Sequence, residues 1–116
     1  MVREHDEQVA LINWFATQFP KYATRLVATP NAAKRSLKLA AMMKAEGMRK
    51  GFPDLNLPVA RKGFHGLYIE LKRTKGGKLS DEQGEWLDFL SSEGYKAVCA
   101  KGWDEARAVI IDYMRG

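Results

Sequence analysis

The spacing of apolar residues predicts a helix at the start of the chain. The helical period runs from about Glu4 to Phe19, and Pro20 ends it. Its predicted buried stripe consists of Val9, Ile12, Ala16 and Phe19, widened by Leu11, Trp14 and Phe15. We therefore expect that stripe to face the core.

Shorter apolar runs, separated by turn residues, divide the rest of the chain. Strands are predicted at residues 26–28, 54–57, 67–72 and 95–100. Helices are predicted at residues 36–46, 80–93 and 104–114. The third helix opens on a capping box, with Ser80 as N-cap and Gln83 at the third helical position. The order α-β-α-β-β-α-β-α favours the α/β class.

Length and composition are consistent with one folded domain over residues 1–116. A hydrophobic fraction of 46% can build one core. The single cysteine, Cys99, rules out an intramolecular disulfide and a cysteine-based zinc site, and its apolar neighbours predict a small buried side chain. The charged start of the chain is unlike a secretion signal, and no run reaches the roughly 18 apolar residues of a membrane span. We expect a cytoplasmic protein with no membrane partner.

The net charge of +5 suggests an anionic partner, and nucleic acid is the commonest one. Basic residues cluster at Lys34-Arg35, Lys38, Arg49-Lys50, Arg61-Lys62, Lys72-Arg73, Lys75 and Lys78. Such clusters can follow phosphates and give salt-dependent binding. A basic surface that only keeps the protein soluble is the alternative for any single pair.

Residues 67–72 form the strand most informative about chemistry. Side chains alternate along a strand, so Leu67, Ile69 and Leu71 share the core side. Tyr68, Glu70 and Lys72 share the other side, with the last two about 7 Å apart along the strand. A carboxylate can hold a hard cation, and a neighbouring lysine can stabilise a phosphate or help to activate water. The alternative is an ordinary solvated face.

Two further acidic positions could complete a site. Asp54 opens a strand after Pro53, and hairpin-like pairing with the strand of Glu70 would bring both carboxylates to one end of a sheet. An aspartate at the start of a strand is also routine. Glu4 and Glu7 lie in the first turns of the first helix, where acidic residues suit the helix dipole without any other role.

Together these residues resemble a known nuclease pattern. Pro53-Asp54 followed by Glu70-Leu71-Lys72 has the form PD…ExK of the PD-(D/E)XK superfamily. More specifically, the chain resembles the stand-alone VRR-NUC domains of phages and bacteria. The likeness lies in segments at residues 4–8, 29–31, 45–47, 50–55, 68–72, 79–83 and 94–95, which span nearly the whole chain in the family's order.

The resemblance implies a restriction-endonuclease-like αβββαβ core around a four-stranded mixed sheet flanked by helices. The helix from Ser36 to Gly47 would be an insertion within that core. The resemblance also implies Mg²⁺ or Mn²⁺ as cofactor and phosphodiester cleavage as the reaction.

The resemblance further implies roles for individual residues. Asp54 and Glu70 would bind the metal together with the backbone carbonyl of Leu71. Glu7 would be the acid of the first helix, directly or through water, with Glu4 as its competitor. Lys72 would contact the scissile phosphate or position the attacking water. Gln83 would support the site, as an alternative to its capping role or alongside it.

We expect an endonuclease that recognises DNA structure, because stand-alone relatives are associated with homodimers that cut branched DNA such as Holliday junctions. Two symmetric sites would suit two symmetric cuts. A nuclease without branch preference and a non-catalytic nucleic-acid-binding module are the alternatives. The chain departs from many relatives at Ala32-Ala33, where those have Gly-Gly, which puts a phosphate approach there in doubt.

Overall fold

The computed structural model describes residues 4–30 and 36–115 of the chain. Within them, helices and strands follow one another in the order expected from the sequence. The helices are α1 (Glu4–Gln18), α2 (Leu37–Ala45), α3 (Asp81–Ser92) and α4 (Gly102–Met114). The strands are β1 (Val27–Ala28), β2 (Leu55–Leu57), β3 (Leu67–Lys72) and β4 (Lys96–Lys101). The expected bounds therefore agree with the observed ones to within about two residues.

The four strands form one mixed sheet in the order β1-β2-β3-β4. β1 and β2 are antiparallel, as are β2 and β3, and β3 pairs with β4 in parallel. The register pairs Leu55 with Ile69, and Glu70 with Cys99. The parallel pair requires a crossover, and α3 supplies it. The expected α/β architecture with a four-stranded mixed sheet is confirmed.

One face of the sheet is covered by α1 and α4. Leu67 and Ile69 of β3 are fully buried there with Leu11 and Phe15 of α1. The inward face of α4 consists of Ala106, Ile110 and Tyr113, which are buried, and Val109 packs against them.

The expected stripe of α1 was partly wrong. Val9 is 45% exposed, and the buried centre of the helix consists of Leu11 and Phe15. Apolar residues lie on more than one side of this helix, so periodicity alone could not choose the side that packs against α4. Pro20 ends α1 as expected, but it also opens a short 3₁₀ helix, Pro20–Tyr22, which was not predicted.

The opposite face of the sheet carries an aromatic layer beneath α3. The ring of Tyr68 meets those of Phe52 and Tyr95, with centroids 5.6 and 5.3 Å away. Leu87 and Leu90 of α3 are buried on this side. The Tyr68 side of β3 is therefore a second packing surface, and the solvated face considered from the sequence is wrong.

α2 lies between β1 and β2 in the chain, where the insertion was expected, and is the least embedded of the described helices. The Ser36 hydroxyl caps it by accepting from the Leu39 amide at 3.2 Å. No residue of the helix is buried, and Leu37 is 91% exposed. α2 therefore lies at the surface, with every side chain at least partly exposed.

Candidate active site

The pairing of β2 with β3 brings Asp54 beside Glu70. Asp54 immediately precedes β2, and continuing the register from Leu55 and Ile69 places it opposite Glu70. The Asp54 Oδ2 atom accepts a hydrogen bond from the Leu71 amide at 2.8 Å. That bond lies where a further residue of β2 would otherwise pair with β3, so a side chain continues the ladder.

The same bond indicates the direction of the Leu71 carbonyl. In a β-strand the N–H and C=O groups of one residue point to the same neighbouring strand. Because the Leu71 N–H points to Asp54, its C=O is turned to the same side, beyond the last residue pair of β2 and β3. Carboxylate and carbonyl oxygens therefore converge at this end of the sheet.

Gln83 links the N-terminus of α3 to Glu70. Its side-chain oxygen accepts from the Ser80 amide at 2.9 Å, and the Ser80 hydroxyl accepts from the Gln83 amide at 3.2 Å. The Gln83 Nε2 atom donates to Glu70 Oε2 at 3.5 Å. Glu70 is only 3% exposed, although it is a charged residue. The expected capping box is thus confirmed, and the same side chain contacts the proposed site as well.

Gly51 lets the chain pass close to the start of α3. Its φ is +87°, and a Cβ at this position would lie 2.7 Å from the Glu82 carbonyl carbon and 2.8 Å from the Gln83 nitrogen. Backbone atoms cannot give way as a flexible side chain can. Gly51 therefore sets the distance between α3 and Asp54, a role that the sequence analysis missed.

Lys72 lies at the end of β3, half-buried and paired in register with Lys101. The loop after β3 folds back onto it, and a Cβ on Gly77 would lie 2.9 Å from the Lys72 Cβ. Strand alternation keeps Lys72 on the side of Glu70. The loop thereby restricts the base of the Lys72 side chain.

Glu7 reaches the sheet from α1 at the same end. Its Oε1 atom lies 3.9 Å from the position of a Cβ on Gly102, directly after β4.

Asp54, Glu70 and Gln83 line one cleft, and Glu7 is not part of that lining. Within residues 4–30 and 36–115, no three His, Cys, Asp or Glu side chains gather closely enough to hold a metal. The structure therefore brings Asp54 and Glu70 together as a pair, with Glu7 on the α1 side. The side chain of Glu4 lies outside the described part.

A cleft of about 490 Å³ opens beside the two carboxylates. The end of α2 and the segment leading to Asp54 contribute Lys44, Arg49 and Lys50 to its lining. All three are exposed, and Lys50 makes a long ion pair of 3.8 Å with Glu82. Lys44 was not among the basic residues singled out from the sequence. The Lys34-Arg35 pair and the Ala32-Ala33 departure lie outside the described residues.

Arg61 and Lys62, by contrast, lie at the opposite end of the sheet. They occupy the turn between β2 and β3, whereas Asp54 precedes β2 at its other end. The Arg61 guanidinium donates to the Tyr22 hydroxyl at 3.0 Å, and Lys62 donates to the Asp112 carbonyl at 2.6 Å. Their closeness to the site in sequence is therefore not closeness in space, and their contacts are structural.

Cys99 is half-buried, where the sequence predicted a buried side chain. Burial raises the pKa of its thiol, and the negative charge of the neighbouring Glu70 raises it further. A thiol with a raised pKa is protonated at neutral pH and is a poor nucleophile. Cys99 therefore lies beside Glu70 as a poor nucleophile, as expected, but it is less buried than predicted.

The chain is similar to known proteins in sequence and in fold. Residues 2–104 match the family model described as the VRR-NUC domain. A solved structure described as a VRR_NUC domain protein shares 32% sequence identity and superposes with a TM-score of 0.87. That match covers 99% of this chain and 90% of the other. No curated protein matches the chain. Within the described residues, no helix is long and apolar enough to cross a bilayer.

Proposed function

The chain belongs to the VRR-NUC family of nuclease-type domains, and from that premise we propose that it is a metal-dependent endonuclease acting on DNA. One observation carries the proposal. Asp54 and Glu70, from adjacent strands, meet at one end of the sheet and are held there by the Leu71 amide and by Gln83. Burying a carboxylate such as Glu70 is costly unless its charge is used or compensated, and sites of chemistry are where such groups concentrate.

The donor set fits a hard divalent cation. Asp54, Glu70 and the Leu71 carbonyl offer only oxygen atoms, which Mg²⁺ and Mn²⁺ prefer over nitrogen or sulfur ligands. Mg²⁺ retains several waters when it binds, so two carboxylates are a sufficient protein contribution. Glu7 is the further acid we propose, acting through water. When bound, the cation supplies positive charge opposite the phosphate and favours attack by water.

The chain's own residues would orient the reacting groups. Gln83 holds the Glu70 carboxylate by its amide while its own oxygen is fixed at the helix cap, so Glu70 has little rotational freedom. Lys72 would place a positive charge beside the scissile phosphate, where negative charge increases in the transition state. The close packing of Gly77 against Lys72 restricts the base of that side chain.

For the substrate we propose branched DNA, with a homodimer as the active form. A chain of 116 residues covers little DNA, and a second copy doubles both the phosphate contacts and the active sites. Two-fold symmetry would place paired cuts on opposing strands of a four-way junction, as a Holliday-junction resolvase does.

The experiment compares cleavage of four-way junction, flap, nicked and linear duplex DNA with Mg²⁺ or Mn²⁺, mapping the cuts on each strand. Light scattering at the same protein concentration gives the oligomeric state. Paired nicks in the junction by a dimer would support the proposal. A monomer that cuts linear and branched DNA equally would replace it with a general nuclease. Binding without any cutting would indicate a non-catalytic module.

A further inference from the structure

We propose that the cleft beside Asp54 and Glu70 receives one unpaired nucleotide adjacent to the phosphate that is cut, with its base held out of the DNA stack. The inference rests on the proposed nuclease function and specifies the substrate at that site. It assigns a role to the part of the cleft that neither metal binding nor phosphate chemistry requires.

The size of the cleft suits a small group and excludes a duplex. Its volume is about 490 Å³, within the range of roughly 300–1,000 Å³ typical of small-molecule sites. A duplex is too wide to enter such a space, since its major groove alone is about 12 Å across. A single nucleotide can enter while the rest of the DNA stays outside.

The walls of the cleft are largely apolar, which phosphate binding alone does not explain. Ala40, Met48 and Phe52 line it together with Pro30, and the first three are half-buried. Unpaired bases bind by stacking on apolar and aromatic side chains. The lining therefore offers the kind of surface on which a base gains binding free energy.

The aromatic part of that wall is fixed before any ligand arrives. The Phe52 ring meets Tyr68 at 5.6 Å and Trp86 at 4.9 Å, in both cases edge to face. These contacts hold Phe52 in place from the α3 side. A wall that does not have to be ordered on binding costs less conformational entropy.

Charge at the rim matches the rest of the nucleotide. Lys44, Arg49 and Lys50 are exposed members of the cleft lining, which also includes Asp54, Glu70 and Gln83. The cations suit phosphates that flank the captured base. The carboxylates lie where the cut phosphate would meet the proposed metal. A nucleotide can thus place its base against the apolar part of the lining and its phosphates beside the cations and the proposed metal.

A captured base also explains a preference for branched DNA. Extruding a base from a duplex costs unpairing and unstacking energy, and the cost is least where the base is already unpaired. Flaps and gaps supply such bases. On this account, branch preference arises partly inside one protomer's cleft and does not depend wholly on the spacing of two sites in a dimer.

The test places a larger side chain in the cleft and, separately, removes one base from the DNA. Ala40→Trp fills the cleft from α2, whereas Ala41→Trp places the same side chain on an exposed neighbour outside the cleft lining. The DNA is a duplex with a short single-stranded gap, on which the cut is first mapped. It is then remade with an abasic residue on either side of the cut phosphate.

Wild-type protein and Ala41→Trp should cut the intact DNA about tenfold faster than the abasic DNA at one of the two positions, the size expected for one stacked base. Ala40→Trp should reverse this preference, because the indole occupies the place of the base. Equal cutting of intact and abasic DNA by the wild type would overturn the inference. So would an equal loss on both substrates by Ala40→Trp with an unchanged melting temperature.

Two further measurements keep the inference testable. If Ala40→Trp does not fold, Met48→Ala should slow cutting of the intact DNA and leave the abasic DNA unaffected.

If the wild type cuts no DNA with either metal, the proposed function fails, and a gapped DNA carrying 2-aminopurine then tests the cleft alone. Its fluorescence should change with the wild type and not with Ala40→Trp, and no change with the wild type would overturn the inference.

Discussion

Basic side chains lie at both ends of the sheet, but they have different roles at each end. At the turn between β2 and β3, Arg61 and Lys62 donate to Tyr22 and to the Asp112 carbonyl, and those bonds join distant parts of the chain. At the other end, Asp54 and Glu70 are brought together beside a cleft whose cations are exposed. Basic charge in the sequence therefore does not by itself identify a binding surface.

The two ends of the sheet differ in whether their charged side chains are already bonded within the fold or are exposed to a ligand. Lys62 bonds the last turn of α4, where carbonyls lack helical partners, so its charge already serves the fold. Lys50 makes one long ion pair and its side chain is 82% exposed, which contributes little to stability. Substitutions at the first end should change stability, and substitutions at the second should change cleavage and DNA binding.

The largest expected effect is the loss of cleavage when divalent metal is removed. Chelator should abolish cutting, and Mg²⁺ or Mn²⁺ should restore it. Metal bound only by the folded state also stabilises it, so Mg²⁺ should raise the melting temperature of the wild type. Arg61→Gln should retain the metal-dependent rise, and Asp54→Ala should lose it. Robust cutting in chelator would refute the metal mechanism.

Gly51→Ala should destabilise the protein and slow cleavage. A Cβ there meets the backbone of Glu82 and Gln83, and its φ of +87° is unfavourable for alanine. We expect a loss of about 2 kcal/mol in the free energy of unfolding, as for a strained backbone position. Gly47→Ala is the matched control, because its φ is also positive at +107° but nothing lies within 4 Å of the added atom. Urea unfolding of both variants separates the close approach from backbone strain, and equal losses would contradict the role of Gly51.

Much of this geometry follows from the sequence, and the reason is local. The alternation in Leu67–Lys72 and the capping box of Ser80 and Gln83 are encoded within a few residues, so β3 and the start of α3 were predicted. The PD…ExK resemblance singled out Asp54 and Glu70, and the fold brings them together.

What could not be predicted depends on contacts between distant segments. The approach of Gly51 to α3 and the cleft wall formed by α2 join parts of the chain far apart in sequence. Arg61 lies near Asp54 in sequence, and the direction of β2 separates the two in space. The aromatic layer under α3 likewise depends on which face of the sheet the helix covers.

The first helix offers a smaller effect. Glu7→Gln should slow cleavage about tenfold, as the loss of a group acting through water on a metal commonly does, whereas Glu4→Gln should have less effect. The Glu7 carboxylate lies near Gly102, directly after β4, at the same end of the sheet as Asp54 and Glu70. Matched single-turnover assays compare the two variants. The opposite ranking would move the role to Glu4.

The smallest effect concerns the cations of the cleft. Lys44→Gln and Lys50→Gln should each weaken DNA binding a few-fold and reduce the slope of log affinity against log salt by about one, as expected for one lost phosphate contact. Lys62→Gln should leave that slope unchanged and lower the melting temperature instead. Titrations at several salt concentrations decide, and an unchanged slope in both cleft variants would place the DNA elsewhere.

The paired carboxylates at one end of the sheet are proposed to cut DNA. The most direct test of this proposal is single-turnover cleavage of a four-way junction by Glu70→Gln with Mg²⁺, since glutamine keeps the size of the side chain and removes its charge. We predict a rate at least about a hundredfold lower, from the loss of a metal ligand and its charge, with the DNA affinity and the melting temperature measured without metal nearly unchanged. Wild-type turnover by Glu70→Gln would contradict the account.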